Sequence, residues 1–568
     1  MRYLALACDY DGTVAHDGLM DSPTRAALRR LRDSGRRVVL VTGRQLDELR
    51  VVCDELSLFD RVVAENGALL FDPSSGAETV LAAPASAALV HALRARHVEP
   101  VAVGRCIVAT WEPHETAVLQ AIRDLGLELQ VTFNKGAVMV LPSGVNKASG
   151  LTAVLAELGL SPHNAVGVGD AENDHAFLSL CECSVAVANA LPALQERADW
   201  VTQSPRGAGV AELIEALLAD DLASLAPRLT RHHLLLGMRG PDDAVHLPPV
   251  GVTALLAGAS GSGKSTLAGS FVERLAAQAY QFCLVDPQGE FAGLAGAVLL
   301  GDRDRHASLD EVVDLLAKPQ QNVVVNLRSL PGDERPRVFA ALLPRLQELR
   351  ARTGRPHWII VNQAHDVLPS DWDAASSSPQ MPASVLLITA DPRRLAPAVL
   401  GTVDTAVVLG PAPHHVLAAI PAVDAAQLAG PEPLLEAGEA IGWSRHLGAA
   451  PFRFKVVAGD ADRRHPPRPS AEDGLDAGRS FYFRGPRQRL NLRAQSLALF
   501  NQLADGVDDE TWLFHLRRGD YSRWMRAEIK DEALAAEIAG IEESPRAAPA
   551  DSRAAVRAAI ERRGAKSV

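Results

Sequence analysis

Apolar runs that stop abruptly at a polar residue or glycine set the rhythm of this chain. In the first 220 residues they read "YLALAC", "RVVLVT", "RVVAEN", "NAVGVGD" and "SVAVAN", with amphipathic stretches such as "SPTRAALRRLRDSG" between them. Unbroken apolar runs alternating with helix-period segments predict buried parallel strands covered by helices, here a Rossmann-like α/β domain over 1–220. Between the third and fourth runs, about 79–140, lies an insert with two helical segments ("ASAALVHALRARH", "HETAVLQAIRDLG") and three strand-like ones ("CIVATW", "ELQVTF", "AVMVLP"), a small α/β cap. A second α/β series fills 228–455, with strands expected at "VTALLAG", "QFCLVD", "NVVVNL", "HWIIVN", "SVLLITA" and "TAVVLG". Residues 459–479, polar and rich in proline and glycine, read as a linker. Beyond it, 480–543 reads as a small α-helical domain and 544–568 as a flexible tail.

Composition narrows the class. A chain of 568 residues exceeds what one hydrophobic core organises, and 47% apolar residues exclude wholesale disorder. With 69 acidic against 57 basic residues the net charge is −12, which argues against a chain-wide nucleic-acid surface. Six cysteines, mostly inside apolar runs, read as buried reduced thiols, neither a disulfide framework nor a zinc site. The first residues lack a cleavable signal pattern, and no uncharged apolar run is long enough to span a bilayer. The expectation is a cytoplasmic protein with no membrane partner.

Candidate chemistry starts in "LALACDYDGT", where Asp9 and Asp11 fall at the end of a buried strand, the edge at which open α/β sheets present ligand groups. Three further stretches repeat that placement. "VVLVTGR" ends a strand at Thr42, "GVNKASGL" opens a helix at Lys147, and "VGVGDAEND" ends a strand at Asp170 and Asp174. In this order the four stretches resemble the motifs of the haloacid dehalogenase phosphatases. "AENGALL" and "AVANALPALQERADWVT" resemble the Cof-like subgroup, whose cap is inserted between the second and third motifs.

The resemblance implies Asp9 as a nucleophile that forms an aspartyl phosphate, and Asp11 as the acid that protonates the leaving oxygen and then activates water. Thr42 and Lys147 would bind the phosphoryl oxygens where charge gathers. Mg²⁺ would be held by the set Asp9, Asp11, Asp170 and Asp174, a hard ion on oxygen ligands. Arg44 fits the subgroup's Thr-Gly-Arg pattern, either touching substrate or bracing the loop. Lys135, in "FNKGAV" between two strands of the insert, reads as a solvated hairpin lysine. A cap of this size suits a small phosphorylated metabolite such as a sugar phosphate or phosphoglycolate.

A second phosphate motif follows in "LLAGASGSGKSTLAG". Gly258, four residues, then Gly263, Lys264 and Ser265 complete a P-loop after a strand and before a helix, with Gly261 and Thr266 in the same cradle. Main-chain N–H groups would wrap the β-phosphate of ATP or another nucleoside triphosphate, Lys264 would reach the terminal phosphates, and Ser265 would meet Mg²⁺. "LVDPQGEF", "IIVNQAHDVLP" and "LLITADPRRLAPAVL" resemble the HerA and FtsK class of ATPases. In that class the second stretch carries Asp then Glu, and the third carries Gln after its Thr. Here Asn362, Gln363 and Ala390 stand in those places, leaving Asp286 and Glu290 as the remaining acids. An amide cannot take a proton from water, so binding with crippled hydrolysis is the expectation.

In the C-terminal segment Trp512, Phe514, Tyr521 and Trp524 interleave with Arg484, Arg487, Arg493, Arg517 and Arg518. Single-stranded nucleic acid fits such a pattern, but the core of a small bundle fits it better. His515 reads as a packed histidine. The reading is an Mg²⁺-dependent phosphatase with an attached nucleotide-binding domain for regulation or assembly, with a homo-oligomer left open. The alternative is a HerA-like assembly or translocation module with an accessory phosphatase domain.

Overall fold

The computed structural model describes residues 1–371, 383–445, 450–457, 480–486, 490, 492–494, 497–529, 531–543 and 548–565. The linker expected at 459–479 lies outside them. Met1–Gly459 forms one compact unit and Asp460–Val568 a second.

The first sheet of the larger unit begins with β1 (Ala5–Cys8), β2 (Arg37–Val41), β3 (Arg61–Ala64), β4 (Leu69–Phe71) and β5 (Glu78–Val80). Four cap strands follow, β6 (Ala102–Val103), β7 (Val108–Trp111), β8 (Leu129–Asn134) and β9 (Ala137–Pro142), before β10 (Ala165–Gly169), β11 (Cys183–Ala186) and β12 (Trp200–Val201) return to the main sheet. Its order is β12-β11-β10-β1-β2-β3-β4-β5, parallel through β3 and closed by an antiparallel hairpin edge. Burial on both faces explains the unbroken apolar strands, with Leu6, Val38, Val39 and Val166 fully inaccessible. The chain runs outward from β1 through β2 and β3, then restarts at β10 on the other side of β1. That reversal opens a crevice at the ends of β1 and β10. The cap is a separate antiparallel sheet, β6-β7-β9-β8, backed by two helices.

The second sheet adds β13 (Leu234–Gly240), β14 (Asp243–Leu247), β15 (Thr253–Gly258), β16 (Phe282–Asp286), β17 (Ala297–Leu300) and β18 (Asn322–Asn326). It is completed by β19 (Trp358–Val361), β20 (Val385–Thr389), β21 (Thr405–Leu409), β22 (Glu439–Ser444) and β23 (Phe452–Val456). The order is β14-β13-β23-β22-β21-β15-β20-β19-β16-β18-β17. The six expected strands form its parallel part together with β17, and neither β17 nor the antiparallel edge of β22, β23, β13 and β14 was anticipated. β13, β14 and β23 carry exposed and half-buried positions that interrupt the apolar signal.

A buried polar cluster pins the two sheets together. His163 meets Glu182 at 2.6 Å and the Gln278 carbonyl at 2.6 Å, and it stacks on Tyr280, whose hydroxyl donates to Glu182 at 2.7 Å. Arg2 also pairs with Glu182, so this carboxylate is neutralised by protein groups.

In the smaller unit, β24 (Phe481–Phe483) and β25 (Leu492–Ala494) form an antiparallel ribbon beside the helices, where only helices were expected. Trp512, Tyr521 and Trp524 lie in its core with Phe481 and Phe500, which takes these aromatics out of reach of a nucleic acid. His515 is packed, accepting from the Arg484 N–H and meeting Asp520 at 2.9 Å. The flexible tail is corrected as well. Pro549–Ala565 is a helix whose Val556, Ala559 and Ile560 enter the same core, since their i, i+3, i+4 spacing makes one apolar stripe.

All six cysteines are buried and unpaired. Among the described residues no helix is long and apolar enough to cross a membrane.

Candidate functional site

The crevice at the ends of β1 and β10 gathers Asp9, Thr42, Lys147, Asp170 and Asp174, each at most 4% exposed. Lys147 is the first residue of the helix Lys147–Glu157, fixed by a reciprocal cap between Asn146 and Ser149. Its ammonium lies 2.6 Å from Asp9 Oδ1 and 2.6 Å from Asp174 Oδ1. Asp174 Oδ2 accepts the main-chain N–H groups of Asp170 and Ala171, both at 2.8 Å. Asp174 thereby orients Lys147 and the loop after β10.

Asp9, Asp170 and Asp174 each bring an oxygen within 4.8 Å of the others, a donor set of hard oxygens suited to Mg²⁺. Burial first, and then the charge of Asp174, push the Asp9 carboxyl up to about 7 against the pull of Lys147. Burial works against the Lys147 ammonium, yet Asp174 and Asp9 outweigh it and hold the group above the usual lysine range. Asp170 is likewise raised by burial, with Lys135 opposing. The cluster carries more negative charge than its cations offset, and a divalent ion fits that deficit.

Two expectations change here. The Asp11 carboxylate is not in the carboxylate cluster, because Arg44 grips it with two hydrogen bonds of 2.6 and 2.7 Å. Arg44 thus braces the loop through Asp11, and it is the Asp11 main-chain oxygen that faces the crevice. Lys135 is a hairpin lysine with a half-exposed side chain, as expected, but its ammonium is engaged. It sits in the two-residue turn between β8 and β9, at φ +48° beside Gly136 at φ +84°. The hairpin tip hangs over the crevice, however, and the Lys135 ammonium lies 2.8 Å from Asp11 O and 2.9 Å from Asp170 Oδ2. Gly12 must be glycine for this approach, since a Cβ there would stand 2.3 Å from Asp170 Oδ2 and 2.7 Å from Lys135 Nζ.

The cap is latched by Glu65, whose buried carboxylate accepts the N–H groups of Arg105, Cys106 and Ile107 at 2.8, 2.8 and 3.2 Å. "AENGALL" marked the stretch, but nothing in the sequence said which N–H groups Glu65 would meet. Between cap and core lies a cavity of about 340 Å³ reaching from Asp9 and Thr42 to Lys135 and Met139. Of the residues that line it, Thr110, Asn134 and Gln45 each have a polar atom that is shielded from solvent and has no hydrogen-bond partner among the described residues.

The second site lies at the end of β15, which pairs with β20 and β21 and is one strand removed from β19. Gly261 and Gly263 take φ +79° and +94°, and a Cβ on Gly258 would stand 2.2 Å from Leu409 O. Lys264 opens the helix Lys264–Ala277 and folds back to donate to Ala259 O at 2.8 Å, while Ser265 and Thr266 in the first turn are exposed. Asn362 follows β19, Gln363 stands beside it at φ +43°, and Ala390 follows β20. Asn362 Nδ2 reaches Asp286 at 3.2 Å and Glu290 at 3.1 Å.

Comparison with known proteins bears on the first site. A family model described as haloacid dehalogenase-like hydrolase matches residues 6–99 and 102–214. A phosphoglycolate phosphatase of Methanothermobacter thermautotrophicus is 30% identical over 38% of this chain and 98% of its own. One of Haloarcula marismortui is 33% identical over 37% of this chain and 95% of its own. Among solved structures, a haloacid dehalogenase-like hydrolase from Bacteroides thetaiotaomicron aligns at 19% identity over 38% of this chain and 99% of its own, with a TM-score of 0.34. Through its first 214 residues this chain belongs to the haloacid dehalogenase-like hydrolases and carries a phosphatase domain of that family.

Proposed function

We propose that the protein is an Mg²⁺-dependent phosphatase for a small, hydroxyl-bearing phosphomonoester, with a nucleotide-binding P-loop domain attached for regulation or assembly. One observation carries the first half: Lys147 held between Asp9 and Asp174, with Asp170 alongside, at the ends of β1 and β10. Asp9 is fixed by a single oxygen, which leaves the other to attack phosphorus while the bond from phosphorus to the leaving oxygen breaks. Asp11 gives that oxygen its proton once the Arg44 pair has loosened, then takes a proton from the water that cleaves the aspartyl phosphate. Lys147 and Thr42 stabilise the equatorial oxygens. Asp9, Asp170 and the Asp11 main-chain oxygen would hold Mg²⁺, which screens the charge of the phosphate from the nucleophile.

The cavity supports the substrate class. Its volume of about 340 Å³ sits at the small end of ligand pockets, and its lining includes the polar side chains of Thr110, Asn134 and Gln45 beside apolar ones. Phosphoglycolate, on which the matched relatives are named as acting, is the comparison substrate. A panel of sugar phosphates and phosphoglycolate, assayed with the full chain and Mg²⁺, tests this reading; release of phosphate from none of them would refute it.

The second half rests on the glycine geometry of 258–263 and on Lys264. Binding of a nucleoside triphosphate that disappears in Lys264→Ala tests it. Hydrolysis is expected to be very slow, because Asn362 and Gln363 do not activate water.

A further inference from the structure

Losing both acids after β19 does not leave the second site without a carboxylate. Asp286, fully buried at the end of β16, accepts the Phe291 N–H at 2.7 Å, and Gly289 takes φ +77°. The loop 286–291 therefore folds back and turns Glu290 toward the glycine-rich loop. Glu290 Oε2 lies 3.1 Å from Asn362 Nδ2 and 3.4 Å from the Ser265 hydroxyl, and Oε1 accepts from Gln363 Nε2 at 3.0 Å. Asp and Glu at positions 362 and 363 would repel this carboxylate, whereas two amides attract it by donating N–H. The paired exchange of acid for amide removes two carboxylates and leaves Asp286 and Glu290 as the acids that the amides contact.

A separate observation points to an anionic ligand. Lys264 is only 7% exposed, its ammonium has one hydrogen-bond partner, the Ala259 carbonyl, and it makes no ion pair among the described residues. A buried ammonium that is in no ion pair among the described residues, at the N-terminus of a 14-residue helix, is a receptacle for phosphate. A polyphosphate bound there would stand beside Glu290, which is solvent-exposed, and two such anions need a cation between them.

We propose that Glu290 anchors a hydrated divalent cation between Ser265 and a bound nucleoside triphosphate, so that the second site takes the cation–nucleotide complex. This rests on the nucleotide-binding reading of the P-loop given above. It does not restore turnover, since both Glu290 oxygens are engaged by amide N–H groups, which makes the carboxylate a poor base for water.

The test is calorimetric titration of full-length Asp9→Asn protein with adenylyl imidodiphosphate, a non-hydrolysable ATP analogue, once in EDTA and once in excess MgCl₂. Magnesium should tighten binding by about tenfold or more, the worth of a charge-assisted contact. Glu290→Gln should cut that gain to about twofold or less and leave the affinity in EDTA unchanged or tighter. Glu290→Asp, with its carboxylate withdrawn by one methylene, should lose part of the gain. A full magnesium gain in Glu290→Gln overturns the role of Glu290, as does the absence of any gain in the parent protein. Absence of Lys264-dependent binding in both buffers overturns instead the nucleotide-binding reading beneath it. The EDTA affinity of each variant reports that its loop is intact.

Discussion

At the ends of β1 and β10 two buried carboxylates crowd one buried ammonium, while at the end of β15 a buried ammonium faces a main-chain carbonyl and no acid. Both lie at strand ends of parallel sheets, and both bring a lysine from the first turn of a helix. Lys147 is held above the usual lysine range by Asp174 and Asp9, whereas burial lowers Lys264, with only Glu290 opposing. A lysine locked between acids orients a nucleophile. A lysine without one waits for an anion. On the proposed function, the first site does bond-breaking chemistry and the second retains a ligand.

Asp9→Asn is the variant with the largest expected effect. It keeps the shape of the side chain and removes the nucleophile, so phosphomonoester hydrolysis should fall by roughly 10⁴ or more, read as released phosphate. Near-normal turnover would remove the first half of the comparison. Lys147→Ala should cost about 10²–10³ in kcat, because it removes a cation aimed at the phosphoryl oxygens and leaves Asp9 and Asp174 facing each other. A loss under tenfold would mean that Lys147 only fills space.

Lys135→Ala sharpens the first site further. From its place in a hairpin a mild effect was expected, but its contacts with Asp11 O and Asp170 make it part of the closed cap. KM should rise about tenfold with kcat changed less, as for lost binding made equally in ground and transition states. An unchanged KM would return Lys135 to the solvent. The smallest effect is expected from Asn362→Asp with Gln363→Glu. The pair should weaken magnesium-dependent nucleotide binding by a few-fold through repulsion of Glu290 and revive little hydrolysis, since Ala390 still lacks a polar group. Vigorous hydrolysis in that double variant would show that these two positions alone held the site silent.

Much of this was legible from strand ends. Asp9, Thr42, Lys147, Asp170 and Asp174 converge because a parallel sheet brings the carboxyl ends of its strands to one edge, and that rule needs no coordinates. The contacts of Lys135 were missed because they depend on how the cap folds over a core residue 124 positions away in sequence. Periodicity within β8 and β9 carries no information about that closure. Asp11 was placed in the metal set by its motif, but the bidentate grip of Arg44 turns its carboxylate away. The strands β13, β14 and β23 escaped notice because half-exposed strands lose the apolar run that marks buried ones, and β22 because its buried middle, Ala440–Trp443, is short and broken by Gly442. The helix Pro549–Ala565 was hidden by its alanines and arginines, which leave three apolar residues to bury a face.

Nucleotide bound and phosphate released by full-length Asp9→Asn protein, with and without Lys264→Ala, test the division of labour most directly. The Asp9→Asn background is needed so that any phosphate released is not the work of the phosphatase site. Saturable binding that Lys264→Ala abolishes, with phosphate release far below the roughly 10 s⁻¹ of a typical enzyme, is the predicted result. Brisk release that depends on Lys264 would contradict it and make the second site an engine in its own right.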